Sequence, residues 1–147
     1  MNVLLSIKHQ YAWLIADGRK RVEYRSRVWD DAPEFVYVYA GRPIKCIIGR
    51  FHPGKIITGD KFRVWEQTKQ DGGIDDLDFF DYFTGVGNAN AIVIELFELF
   101  HRWVDPYSAL PGYHTVQSFR YLPEEWEEII LEKATGLPAW RRERQAE

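Results

Sequence analysis

The chain has 147 residues, of which 46% are hydrophobic and 28% charged, a composition that fits one globular domain and excludes both disorder and two ordinary domains. No apolar run reaches a bilayer span, and MNVLLSIKHQ lacks the basic n-region and cleavage site of a secretory signal, so a cytoplasmic protein with no membrane attachment is expected. The net charge of −3 hides an asymmetry: residues 1–63 hold 12 Lys and Arg against 6 Asp and Glu, residues 64–147 hold 7 against 16.

Val3 to Lys8 reads as a first strand, and His9 to Asp17 places Tyr11, Leu14 and Ile15 on one helical face before Gly18 ends the helix. Arg21 to Arg25 alternates, which predicts a half-buried strand with Arg21, Glu23 and Arg25 on its polar face and Val22 and Tyr24 turned inward. The runs at 35–40 and 44–51 are rich in β-branched and aromatic residues and predict two adjacent strands about a Gly41-Arg42-Pro43 turn. Cys46, the only cysteine, lies in the second of these runs, where a buried thiol is expected rather than a nucleophile. Short helices are predicted over Gly59 to Gln67 and Asp75 to Phe83. Ala89 to Phe100 is read as a long strand because β-branched residues lead it. A Pro/Gly-punctuated loop follows, then a last strand over 116–122. Pro123, Glu124 and Glu125 open a final helix whose buried face is Trp126, Ile130 and Ala134 and which stops at Gly136. The ordered core is expected over about residues 3–135, with 136–147 a peripheral tail.

Three features bear on chemistry. The basic half concentrates Lys8, Arg19, Lys20, Arg21, Arg25, Arg27, Arg42 and Lys45, and such a patch attracts phosphates even on an acidic protein because screening limits each charge to a reach of about 8 Å. Ordinary solvated surface charge is an equally good reading of the same residues. Aromatic residues make up 16% of the chain, and single-stranded nucleic acids are held by stacking bases on rings beside a basic groove. Trp29, Tyr39, Trp65 and Phe119 are candidates, although packing accounts for most such rings. Four histidines, His9, His52, His101 and His114, show none of the close ligand spacings of zinc sites, so no metal is expected. No phosphate-cradling glycine loop and no nucleophile elbow is present.

The run Gly18-Arg19-Lys20-Arg21-Val22-Glu23-Tyr24-Arg25 fits the pattern G-x-K-x-x-E-x-R. With SIKHQYAWLI before it, VYVYAGRPIK, WEQT…GID…FFDYFTG…NANAIVI and QSFRYL after it, the chain resembles the ASCH family of the PUA-like superfamily over about residues 3–122. The resemblance implies an α+β fold, a small β-barrel of five to six strands flanked by helices, and a cleft lined by the motif. It implies a ligand that is RNA, single-stranded nucleic acid or a modified nucleoside, and no cofactor is expected. Lys8, Lys20, Glu23, Arg25, Tyr39, Gly41, Trp65, Phe119 and Arg120 are the expected binding residues. Lys20 suits a phosphate or, desolvated, proton transfer, and the forked Arg25 guanidinium suits a phosphate or a stacked base. Glu23 would hold that fork or accept from an exocyclic amine; without the resemblance, a weak surface Glu23–Arg25 pair is the simpler reading.

Some ASCH proteins are amidohydrolases acting on N4-acetylcytidine, and others ribonucleases. The resemblance to the first branch would make Lys20 catalytic with a threonine three residues on and a distant glutamate, for which Glu66 is the candidate. Here the threonine position is Glu23, and a carboxylate cannot act as that nucleophile; beside Lys20 it would favour the ammonium over the free amine. A third possibility is an adaptor that meets a protein partner through the acidic half or through Trp140-Arg141-Arg142.

Overall fold

The computed structural model describes residues 1–115, 117–137 and Arg142. Its elements in chain order are β1 (Val3–Ile7), α1 (His9–Ala16), β2 (Val22–Arg25), β3 (Val36–Ala40), β4 (Cys46–Asp60), α2 (Lys61–Thr68), a 3-10 turn (Lys69–Asp71), α3 (Asp76–Tyr82), β5 (Asn88–Val104), α4 (Pro106–Ala109), β6 (Phe119–Tyr121) and α5 (Glu124–Thr135). The fold is α+β, a six-stranded curled half-barrel in the order β2-β5-β4-β3-β1-β6, with β1 and β3 parallel and the other pairs antiparallel.

Alternation along the strands sorts the core into faces. Val3, Leu5, Ile7, Val36, Val38, Ile48 and Ile92 form the inner face, which Ala12 and Ile15 of α1 close. On the outer face, α5 lays Ile130 and Ala134 over Leu4, Tyr37, Tyr39 and Phe100, while α2 and α3 lay Val64 and Phe79 over Val22, Tyr24 and Ala91. No strand ladder joins β2 to β1 among the described residues. Instead Arg25 Nη2 crosses the seam and donates to the Ser6 carbonyl at 2.6 Å.

Local signals mark the helices well. Asp60 caps α2 by accepting from the Phe62 and Arg63 amides, and Asp75 caps α3 by accepting from Asp78 N–H. The strands depart further from expectation. β4 runs nine residues past the predicted end at Phe51, through the strand breakers Pro53 and Gly54 and as far as Gly59 and Asp60, where a helix is predicted to have begun. A register shift against β5 between Pro53 and Ile56 absorbs Pro53 and Gly54 as a bulge, which a one-dimensional pattern cannot show, whereas Gly59 pairs in register with Ala89. β6 is only three residues long, and the predicted loop after β5 contains α4, capped by Asp105 accepting from Tyr107 N–H. Cys46 is half-buried at the start of β4 rather than enclosed. Trp140 and Arg141 lie outside the described residues, as does Val116, the first residue of the predicted last strand. No helix among the described residues is long and apolar enough to cross a membrane.

Candidate functional site

β2 carries the main surprise. Its predicted polar face is not solvated: Glu23 registers with Ile92, an inner-face residue, so Glu23 and Arg25 point into the half-barrel while Val22 and Tyr24 are covered by α3. Both faces of β2 are therefore buried. Only Arg21, just before the strand, is solvated, paired with Asp71 at 3.1 Å.

The buried charges hold one another. Arg25 donates to Glu23 Oε2 through Nε at 3.1 Å and Nη2 at 2.7 Å, and Lys20 Nζ lies 3.4 Å from Glu23 Oε1. Lys20, 1% exposed, also donates to the Gly72 carbonyl at 2.6 Å, with the rings of Tyr24 and Tyr11 at 5.1 and 5.4 Å. That carbonyl is within reach because residues 72 and 73 are both glycine. A Cβ at Gly72 would strike the Tyr24 hydroxyl, and one at Gly73, whose φ is 62°, would come within 2.9 Å of Lys20 Cβ. The sequence reading passed over this Gly-Gly pair, although adjacent glycines ahead of a helix cap signal close backbone approach. Behind the site, Thr68 donates its only hydroxyl proton to the Val64 carbonyl at 2.6 Å, so in the 2.8 Å contact with Tyr24 the tyrosine is the donor.

Electrostatics follow from burial and pairing. Burial pushes Lys20 below the ordinary lysine value, and Glu23 offsets only part of that. Of the two effects that the sequence suggests for Lys20, desolvation and the pull of Glu23 toward the ammonium, desolvation is the larger. For Glu23, burial pulls upward, but Arg25 and then Lys20 prevail and hold the carboxyl below its model-compound 4.5. Burial, then Asp78, Asp75 and Glu23, raise Tyr11, which stays a hydrogen-bond donor at neutral pH. The lowered Glu23 value means that its contribution to stability is complete above pH 4.5 and is lost as the pH falls through the folded-state value. Lys20 has the opposite sense: between its lowered value and 10.5 the unfolded chain holds more protons, so stability rises with pH. Urea midpoints measured against pH should fall below 4.5 in the wild type, and Glu23→Gln should flatten that acid limb.

These groups line a cleft of about 400 Å³ bounded by the end of β1, the start of α1, β2 and α3. Ser6, Lys8, Gln10, Tyr11, Lys20, Glu23, Arg25, Asp78, Asp81, Tyr82 and Gln117 supply its polar lining. Lys8, Lys20 and Arg25 thus face Glu23, Asp78 and Asp81, so the cleft is charge-balanced rather than uniformly basic.

Of the expected binding residues, Lys8, Lys20, Glu23 and Arg25 come together here and the others do not. Gly41 abuts the cleft from behind, its amide donating to the Ile7 carbonyl at 2.9 Å. Trp65 packs on Phe79 at 4.7 Å in the layer behind the cleft, and Phe119 packs edge-on against the buried Trp29 at 5.9 Å. Arg120 points to the outer face, its guanidinium 4.6 Å above the Trp126 ring, because it registers with Leu4 rather than Leu5. Glu66 is exposed on α2, paired with Lys69 at 3.0 Å. Tyr39 belongs to a second polar cluster. There the Tyr107 hydroxyl donates to Thr115 Oγ1 at 2.7 Å, which donates to the Tyr113 hydroxyl at 3.2 Å, and Tyr39 and Tyr113 have ring centres 6.3 Å apart. Lys45, in a left-handed backbone conformation at φ 55°, places its ammonium 5.4 Å from the Tyr107 ring. Tyr39 registers with Ser6, which lines the cleft, but no member of this cluster lines it. Among the described residues no group of three or more His, Cys, Asp or Glu is placed to hold a metal.

The profile of the ASCH domain family matches residues 5–134. A curated relative from Zymomonas mobilis, named an ASCH domain-containing ribonuclease, is 29% identical over 94 residues; the match covers 63% of this chain and 64% of the relative, just under two thirds of its length. The crystal structure of ASCH from Zymomonas mobilis superposes with a TM-score of 0.83 at 24% identity, covering 89% of this chain and 94% of that one. The N-terminal domain of Staphylothermus marinus McrB superposes at 0.59 and 10% identity, covering 90% and 93%. At these identities the two structures speak to the fold.

Proposed function

The chain belongs to the ASCH domain family, and from that premise we propose that it acts on RNA, taking a nucleotide of a single strand into the cleft. The observation that carries this reading is the buried Lys20–Glu23–Arg25 array on the cleft wall. Glu23 is fully engaged, whereas Lys20 has a third ammonium proton and Arg25 Nη1 makes no hydrogen bond among the described residues. The protein-side bonds hold both cations in place, so little ordering cost remains when they meet a phosphate or a base acceptor. The cleft volume suits one nucleotide. Ser6, Gln10 and Gln117, with the Asp78 and Asp81 carboxylates, offer donors and acceptors to a base edge.

Strand cleavage is a second reading, favoured by the Lys45–Tyr107–Thr115 cluster and by the ribonuclease name of the Zymomonas mobilis relative. A cation beside exchangeable hydroxyls supplies two of the needs of phosphodiester cleavage by a 2′-hydroxyl, stabilisation of the charged phosphorus centre and a proton for the departing 5′-oxygen, while the proton of the attacking 2′-hydroxyl leaves to water as the new P–O bond forms.

Fluorescence anisotropy with single-stranded RNA should show affinity that falls with salt, and Lys20→Met, which keeps the apolar stem, should weaken binding roughly tenfold to a hundredfold. Gel analysis of the same RNA should show cleavage that Lys45→Met removes without removing binding. RNA left unbound and uncut by the wild type at low salt would rule out both readings. Binding that is insensitive to Lys20→Met would place the nucleotide elsewhere.

A further inference from the structure

Single strands are held by stacking bases on aromatic rings, yet none of the aromatic candidates Trp29, Tyr39, Trp65 and Phe119 lines the cleft. The rings that do are Tyr11, Tyr24, Phe79 and Tyr82. Tyr24 and Phe79 are buried, and Tyr11 is half-buried with the Lys20 ammonium over its ring at 5.4 Å. Tyr82 is the open one, 49% exposed at the last residue of α3. It is also held in place: its hydroxyl accepts from the Ser26 amide at 3.3 Å, and its ring packs at 88° to that of Phe83 with centres 4.7 Å apart. A ring already fixed by two contacts loses little freedom when a base settles on it.

Charge divides the same cleft into two walls. Lys8, Lys20 and Arg25 come from the segment after β1 and from β2 with the residues leading into it, and Glu23 is the carboxylate among them. Asp78 and Asp81 come from α3, where spacings of four and one from Tyr82, and of three from each other, bring all three to the cleft side of the helix. A phosphate is drawn to the first wall and repelled by the second, whereas the N–H groups of a base are donors that a carboxylate accepts. We propose that the nucleotide lies across the cleft, its phosphate toward Lys20 and Arg25 and its base stacked on Tyr82, with an N–H of the base donating to Asp78 or Asp81. This rests on the RNA reading above and gives its ligand an orientation.

Fluorescence anisotropy with a short labelled single-stranded RNA, and with the same strand stripped of its bases, tests this. The wild type should bind the intact strand roughly tenfold more tightly. Tyr82→Phe should keep that gap. Tyr82→Leu, which retains apolar packing on Phe83 but has no flat face, should close most of it. The gap is a ratio within one variant, so any loss of folded protein cancels. Lys20→Met should weaken both strands alike, because the phosphates are common to them. A wild type that binds neither strand would overturn the RNA reading and this one with it. Equal binding of the two strands by the wild type, or a gap that survives in Tyr82→Leu, would overturn the stacking platform alone; a Lys20→Met effect confined to the intact strand would overturn the orientation.

Discussion

Glu23→Ala is expected to cost the folded state about 3–5 kcal/mol, more than the loss of any surface ion pair, read as a drop in the urea midpoint. The carboxylate is 6% exposed and is the anionic partner of both Lys20 and Arg25. Removing it leaves two cations out of water with only the Gly72 and Ser6 carbonyls to satisfy them. The penalty has its own pH signature. Without Glu23 nothing opposes the desolvation that lowers Lys20, so Lys20 should lose its proton at a lower pH than in the wild type, and the variant should regain part of its stability as the pH rises. Replacing Lys20, Glu23 and Arg25 together with apolar residues of similar size should restore much of the midpoint while abolishing RNA binding. That outcome would assign the array to function; a triple variant as unstable as Glu23→Ala would assign it to the fold.

Phe79→Ala should lower stability by a similar amount, about 3–5 kcal/mol, because a fully buried ring leaves a cavity that backbone shifts fill only in part. Phe79 is the hub of the outer aromatic layer, with Tyr24, Trp65, Phe80 and Phe83 rings at 4.7–4.9 Å. It is also the residue through which α3 grips β2, and α3 carries Asp78, Asp81 and Tyr82 along the cleft. Thermal and urea unfolding would measure the loss, with Phe79→Leu expected to show a smaller one. RNA binding should weaken in Phe79→Ala even where the protein remains folded, since the cleft wall loses its anchor.

The resemblance to ASCH proteins and the α+β class were legible in the sequence because they rest on local features. The G-x-K-x-x-E-x-R run, the helical spacing of Asp75 to Phe83 and the β-branched and aromatic content of FVYVYA all lie within a few residues. Alternation also placed Glu23 and Arg25 on one face. It could not say that this face would be buried, because the two ends of the sheet must first curl together before Ser6 and Arg25 meet across nineteen positions of sequence. The length of β4 was hidden for a related reason: Pro53 and Gly54 read as breakers until a long partner strand supplies a bulge to hold them.

Side chains at strand ends show the division most clearly. Phe119 and Arg120 are neighbours in sequence, yet the pairing of β6 with β1 sends the first inward to Trp29 and the second outward to Trp126. The sequence by itself determined the family, the element types and the charged triad, since each is written in spacing along one segment. Only the tertiary structure decided that the triad is buried, that Gly72 and Gly73 complete it from fifty residues away, and which aromatics pack rather than line the cleft. Those outcomes depend on strand order and register, which arise from contacts between distant segments and carry no local pattern.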